Sequence, residues 1–366
     1  MITPYDKLKV ASFTKGEIRR SGEVLKKLYP KSKLSLEEAI ELENAQTLIL
    51  NWRRLHLYPI NTLQMYFRRE LKKLGYESAP FGQRLKRLAT IADKLNRDSI
   101  TGKLDSFQDI GGIRIILENV QQVDNFDNQL IESKAKHKIV KKYDYVVTPK
   151  KDGYRSIHYV YEAFSAKAPV QLQGLKVELQ LRTLLQHYWA TAVESVGMFY
   201  GQSIKTGQGE QMWNDFFLIA SAAFANMENL PLPKPYENCS KLEIKEKLKE
   251  FDAEYAILHK LQAVNMISDL HENALLRNTR FVSLVFQKNA KGVPMVSISP
   301  HYGTEDVSLL NHELICESIK NNNDDYNFID AVFVKSDAKH LKKVYSNYFL
   351  EIKDFIKNLK QFIDEE

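Results

Sequence analysis

Cysteine is nearly absent. The 366-residue chain holds two, Cys239 and Cys316, far apart and in no metal-type spacing. That argues against a disulfide framework or a zinc site and for a reducing compartment. Long apolar runs are also missing. Nothing approaches the roughly 18 residues that a membrane span needs, and the start, Met1-Ile2-Thr3-Pro4-Tyr5-Asp6-Lys7, has no apolar signal core. A cytoplasmic protein with no membrane partner is expected. There is no Walker-type glycine loop, no kinase motif set and no internal repeat.

What is present is an ordinary globular composition, 44% apolar and 27% charged, long enough for two domains and a small third. Charge is uneven. Residues 241–366 carry 17 Lys and Arg against 20 Asp and Glu, and residues 1–240 carry 35 against 26. A basic front suits phosphates or nucleic acid, though a solvated surface would read the same way.

The first hundred residues read as helices. Ser35 and Glu38 stand at capping-box spacing before an apolar-periodic stretch, Glu37–Leu57. Pro59 is expected to break it, with a second helix over Leu63–Leu74 ended by Gly75. Gln83–Leu95 is a basic amphipathic segment. Strands are expected at Gly111–Leu117, Tyr143–Val147, Arg155–Phe164 and Leu175–Thr183, with helices at Val120–Ser133, Leu184–Val196 and Trp213–Met227. This is an α/β or α+β sheet with flanking helices. The proline run Leu230–Tyr236 marks a boundary, and a charged helix over Leu242–Leu276 follows. The tail reads strand (Phe281–Gln287), strand (Val293–Ser299), helix (Leu309–Lys320), strand (Phe328–Val334), helix (Ala338–Phe362).

Two stretches carry candidate chemistry. Asp152-Gly153 is a turn signal followed by Tyr154, Arg155 and His158. In Val177–Thr183, Glu178, Gln180 and Arg182 alternate with Val177, Leu179 and Leu181, so the polar three share one strand face. A half-buried strand would do the same with its solvated side. The company is what matters: Asp109 and Glu178 are few carboxylates among Arg84, Lys86, Lys94, Arg114, Lys150, Lys151, Arg155 and Arg182. That pattern suits magnesium-assisted phosphoryl transfer, with carboxylates on the metal and cations on the phosphates.

The blocks Arg84-x-Lys86-x-x-x-Thr90-Ile91-x-x-Lys94, Asp109-Ile110-Gly111-Gly112-Ile113-Arg114, Asp144-Tyr145, Pro149-Lys150, Gly153-Tyr154-Arg155-Ser156-x-His158, Glu178-x-Gln180-x-Arg182-Thr183 and His187-x-Trp189-Ala190 occur in that order. Together they resemble the synthetase domain of the RelA/SpoT proteins, over roughly 81–194. The resemblance implies an α+β, nucleotidyltransferase-like mixed sheet with flanking helices that moves pyrophosphate from ATP to a ribose 3′-hydroxyl with Mg2+. It implies that Arg84 and Arg114 sandwich adenine, and that Lys86, Lys94 and Arg155 hold phosphates. Asp109 would bind the metal. Glu178 would be the base and also touch the metal. Tyr154 would stack on the acceptor base, and His158, Gln180, Lys150 and Arg182 would line the acceptor side. Thr90 and Gly111 depart from the usual serine and alanine.

No His-Asp hydrolase pair precedes these blocks, so a short, synthesis-only member is expected. Such members make guanosine alarmones or modify the 3′ end of tRNA to stop translation. The long tail, with Tyr345 and Tyr348 one helical turn apart, resembles the CapRel-type fused toxin–antitoxins of phage defence. The resemblance implies a synthetase over 1–240, a connecting helix over 241–278, and a small β-β-α-β-α zinc-finger-like domain without metal over 279–366. In it, Tyr345 and Tyr348 would restrain the enzyme until a phage capsid protein binds. The expectation is a monomeric pyrophosphokinase acting on tRNA. The alternatives are a small alarmone synthetase with a guanine nucleotide (GDP or GTP) or an adenine nucleotide as acceptor, or a non-catalytic nucleotide- or RNA-binding sensor.

Overall fold

The computed structural model describes residues 13–29, 31, 33–96, 103–165, 168–169, 172–200, 208–266, 281–288, 294–304, 307–308, 311–312, 314–315, 328–334 and 352–365. Contacts divide the chain into two compact units. One is Met1–Tyr145 with Ser156–Thr183, the other Val146–Arg155 with Leu184–Glu366.

The first unit opens with helices α1 (Lys15–Leu28), α2 (Leu36–Leu55) and α3 (Leu57–Lys73). Ser35 and Glu38 close the expected capping box, and Thr14 with Glu17 forms another on α1. Pro59 does not separate the helices as expected. It sits in the first turn of α3, where a missing N–H costs no helical bond, and His56 alone joins α2 to α3. Likewise, Gln83–Leu95 is not one amphipathic segment. It divides into strand β1 (Phe81–Leu85) and helix α4 (Leu88–Leu95), because β1 pairs along the edge of the sheet.

Strands β2 (Gly111–Leu117), β3 (Lys138–Asp144), β4 (Ile157–Glu162) and β5 (Lys176–Thr183) complete a sheet in the order β1-β2-β5-β4-β3, with helix α5 (Val120–Glu132) between β2 and β3. Only β2 and β5 run parallel; the other pairs are antiparallel. The register gives the sheet two unlike faces. Ile113 and Ile115 of β2, Val177, Leu179 and Leu181 of β5, and Ile157, Tyr159 and Tyr161 of β4 share one face and are all buried. Helices α3 and α5 cover them. A Cβ at Gly111 would stand 3.0 Å from Ile60 Cδ1 and 3.4 Å from His56 Cβ. The alanine usual at this place would crowd that helix.

The larger part of the second unit begins where β5 ends. Helices α6 (Leu184–Tyr200) and α7 (Gln208–Met227) are apolar on several sides and need covering on each. Helix α8 (Lys241–Tyr255) and a helix over 352–364 supply part of that cover. Ile352, Phe355, Ile356, Leu359 and Phe362 are buried in one cluster with Trp189, Trp213, Phe216, Phe217 and Phe224. The expected boundary at 240 is therefore not where contacts part. The expected 241–278 helix is corrected too: Ala256 adopts φ 51°, and α9 (Ile257–Met266) starts anew after it. Asp252 accepts the Leu258 N–H at 2.7 Å and caps the new helix.

Strands β6 (Phe281–Lys288), β7 (Pro294–His301) and β8 (Phe328–Val334) form an antiparallel sheet with β6 in the middle. The buried Ser283 hydroxyl bridges His301 Nε2 at 2.6 Å and His312 Nδ1 at 2.9 Å. Among the described residues no group of three or more metal-ligating side chains occurs, and no helix is long and apolar enough to cross a membrane.

Candidate active site

The opposite face of the five-stranded sheet is polar. Register puts Arg84, Gly112 and Glu178 in one row across β1, β2 and β5, and Gly82, Arg114, Gln180 and His158 in the next. Each arginine thus stands opposite a glycine. A Cβ at Gly112 would meet Arg84 Cγ at 3.7 Å, and one at Gly82 would meet Arg114 Cβ at 4.0 Å. No side chain from either glycine intrudes between the guanidinium stems, which leaves room for a planar group between two cations. Arg84 is exposed and Arg114 half-buried. Gly82 lies outside the recognised motif, and only pairing reveals its part.

Asp109 precedes β2 and is fixed by its neighbours Phe107 and Ile110, both buried in a core with α1, α2 and α4. Its Oδ2 accepts Lys86 Nζ at 2.6 Å and Lys94 Nζ at 2.8 Å. Lys94 is steadied by α4, whose Ile91, Ala92 and Leu95 are buried, and its ammonium lies 4.7 Å from the Phe107 ring centroid. Burial would raise the Asp109 pKa, but the charges and hydrogen bonds of Lys86 and Lys94 outweigh it and hold the carboxyl below its ordinary value. Asp109 Oδ1 is buried and accepts no hydrogen bond among the described residues.

Glu178 belongs to a chain of polar contacts along the same face. Its Oε1 meets His158 Nδ1 at 2.9 Å, and its Oε2 accepts Gln180 Nε2 at 2.7 Å. Gln180 Oε1 in turn accepts Arg182 Nη2 at 3.0 Å. The ionised carboxylate can only accept, so Nδ1 of His158 carries the proton. Burial pushes the Glu178 pKa up, yet the bonds from His158 and Gln180 prevail over it and over repulsion from Asp109, and the net direction is down. Tyr145 places its ring 5.3 Å from His158, edge to face, and stacks on Tyr143 at 5.8 Å. This aromatic support for His158 was not foreseen; the Asp144-Tyr145 block held the signal.

Tyr154, Lys150 and Arg155 fall in the second unit. Gly153 has φ +88°, and a Cβ there would be 2.7 Å from Ser221 Cβ, so only glycine suits this turn. Lys150 Nζ sits 4.7 Å from the Tyr154 ring centroid, over the face where an acceptor base was expected. The expectation for Arg155 is corrected. It is 4% exposed, and its Nη1 and Nη2 donate to the carbonyls of Val146 and Pro231. Burial lowers its pKa to about 10. A guanidinium held this way is a structural tie, not an open phosphate ligand. Tyr345 and Tyr348 lie outside the described residues.

Residues 83–203 match the profile of a region found in RelA / SpoT proteins. The first-unit site residues from Arg84 to Arg182 lie within that stretch, and Gly82 stands just before it. GTP pyrophosphokinase YjbM of Bacillus subtilis (strain 168) is 32% identical over 122 residues, 33% of this chain and 57% of that protein. GTP pyrophosphokinase YwaC of the same strain is 34% identical over 112 residues, 30% of this chain and 52% of that protein. The chain thus spans little more than half the length of these curated relatives. The crystal structure of small alarmone synthetase 1 from Bacillus subtilis bound to its product pppGpp superposes with a TM-score of 0.39 at 26% identity, covering 56% of this chain and 98% of that one.

A divalent cation fits these donors. A hard ion takes carboxylate oxygens, and Asp109 Oδ1 is a buried acceptor that no donor among the described residues fills. Glu178 lies near enough to Asp109 for their charges to interact.

Proposed function

We propose that the chain is an ATP-dependent pyrophosphokinase. The observation that carries this reading is the pairing of two kinds of carboxylate: Asp109 just before β2, with an oxygen that no described residue fills, and Glu178 on the polar sheet face, held ionised by His158 and Gln180. The acceptor 3′-hydroxyl oxygen attacks the β-phosphorus of ATP. The bond from that phosphorus to the α–β bridging oxygen breaks, AMP leaves, and the hydroxyl proton passes to Glu178. Its depressed pKa keeps Glu178 in the accepting form at neutral pH. Arg84 and Arg114 sandwich the adenine, and Lys86 and Lys94 release Asp109 in part to meet the phosphates. Asp109, with Glu178 beside it, would hold Mg2+, which supplies charge neutralisation at the phosphates.

The acceptor in this reading is the 3′ end of tRNA, supported by the basic balance of residues 1–240 and by a tail longer than nucleotide acceptors call for. The tail is the CapRel-type sensor. Its segment carrying Tyr345 and Tyr348 restrains the enzyme, and a phage capsid protein relieves that restraint. A second reading, guanine nucleotide as acceptor, is favoured by the names of the curated relatives, both GTP pyrophosphokinases.

Incubation with γ-labelled ATP, Mg2+ and either tRNA or GDP decides. Label on tRNA is expected. Label on GDP alone sustains the second reading, and label on neither sinks the enzyme. Glu178→Gln must all but abolish transfer, and Tyr345→Ala plus Tyr348→Ala must be more toxic in cells than the parent if the tail restrains it.

A further inference from the structure

Cations also gather in the first unit away from the polar sheet face. Where α3 and α5 end and β3 begins lies a cleft of about 470 Å3, a size within the range of small-molecule sites. Arg69, Lys73, Lys134 and Lys136 line it against one carboxylate, Glu70. Glu70 is wholly buried and accepts Lys73 Nζ at 2.6 Å, Gln129 Nε2 at 2.7 Å and Arg69 Nε at 3.2 Å. Burial opposes its ionisation, but those three bonds win and its pKa is lowered. Glu70 therefore anchors Arg69 and Lys73, which remain 63% and 51% exposed. Lys134 and Lys136 are exposed as well.

The cleft also offers an aromatic face. Phe164 is 47% exposed, with Lys136 Nζ 5.4 Å from its ring centroid. Its backbone N–H is held by His137 Nδ1 at 3.0 Å. An anion alone would need the cations but not the ring. A planar base bearing several phosphates uses both, by stacking and by charge-assisted hydrogen bonds.

We propose that this cleft is a second nucleotide site, taking a purine nucleoside 5′-diphosphate or triphosphate with its base on Phe164 and its phosphates on Lys134, Lys136, Arg69 and Lys73. It shares no residue with the Asp109 and Glu178 centre and stands independently of the activity proposed there.

The test is equilibrium dialysis of the full chain against labelled ADP. Two equivalents are expected. Lys134→Ala plus Lys136→Ala should weaken one of them at least about tenfold, as loss of charged hydrogen bonds predicts, and Phe164→Ala should weaken the same one. Arg84→Ala plus Lys86→Ala should leave that one intact. All three cleft positions are exposed, so far-UV circular dichroism should not change. A single equivalent that the cleft variants do not touch overturns the proposal. So does a cleft variant that weakens a short single-stranded RNA while leaving ADP binding unaltered, because the surface is then an RNA contact.

Discussion

Cations do different work in the two units. In the first, Lys86 and Lys94 both point at one oxygen of Asp109 and leave the other bare, while His158, Glu178, Gln180 and Arg182 hold one another in a row. Their partners are side chains that a substrate can displace or share. In the second, Arg155 donates to two backbone carbonyls, and Lys245 donates to the Glu365 carbonyl, tying the 352–364 helix to α8. A backbone carbonyl has nowhere to move, so those charges are fixed in place. A cation's residue type says little about its role; the mobility of its acceptor says more.

The largest expected effect falls on the first unit. Glu178→Gln keeps the shape of the strand and removes the proton acceptor, so transfer should fall by about a thousandfold, ~4 kcal/mol in barrier, with the unfolding midpoint nearly unchanged. A thermal melt that drops instead would mean the polar row is structural, like Arg155. In the second unit the order reverses. Phe355→Ala empties a fully buried position among Phe216, Phe217 and Phe224 and should cost about 3–5 kcal/mol in chemical denaturation. If the loss is under 1 kcal/mol, the 352–364 helix is not integral to that core.

Arg155→Met addresses the corrected residue. Two carbonyls lose their donors, so stability should fall by about 2 kcal/mol while the KM for ATP, measured on the folded protein, holds. A raised KM with unchanged stability would restore Arg155 to the phosphates. An effect of similar size concerns a structural base of the first unit. Burial lowers the His56 pKa to about 4, outweighing its bonds to Trp52 and Arg53 carbonyls. Its ordinary value is near 6.5, so between the two the unfolded chain binds a proton that the folded one refuses. The His56 contribution is complete above about pH 6.5 and shrinks as pH falls toward 4. From pH 7 to pH 5 the loss should be about 2 kcal/mol, and His56→Gln should flatten that slope in urea titrations. An equal slope in both proteins would place the pH sensitivity elsewhere.

Local signals were readable from the residues. Ser35 and Glu38 announced a capping box, and the alternation of Val177–Thr183 put Glu178, Gln180 and Arg182 on one face, as found. Strands β2, β4 and β5 and helix α5 lie within a few residues of where they were expected, whereas β3, expected over Tyr143–Val147, runs over Lys138–Asp144. What could not be read depended on partners distant in sequence. β1 is a strand because β2 offers it an edge, against the helical period of its own residues. The break at Ala256 lies in a run with good helix formers on both sides.

By itself, then, the chain determined which residue types alternate, where helices are capped, and that few carboxylates stand among many cations. Those are properties of neighbours, set by backbone period and local hydrogen bonding. Tertiary structure alone decided that Arg84 and Arg114 each face a glycine, that Asp109 keeps an unfilled oxygen, and that Arg155 turns inward to backbone carbonyls. Such outcomes depend on what stands across a strand pair or a core, and burial makes the choice, because a charge out of water must take whatever partner the fold brings to it.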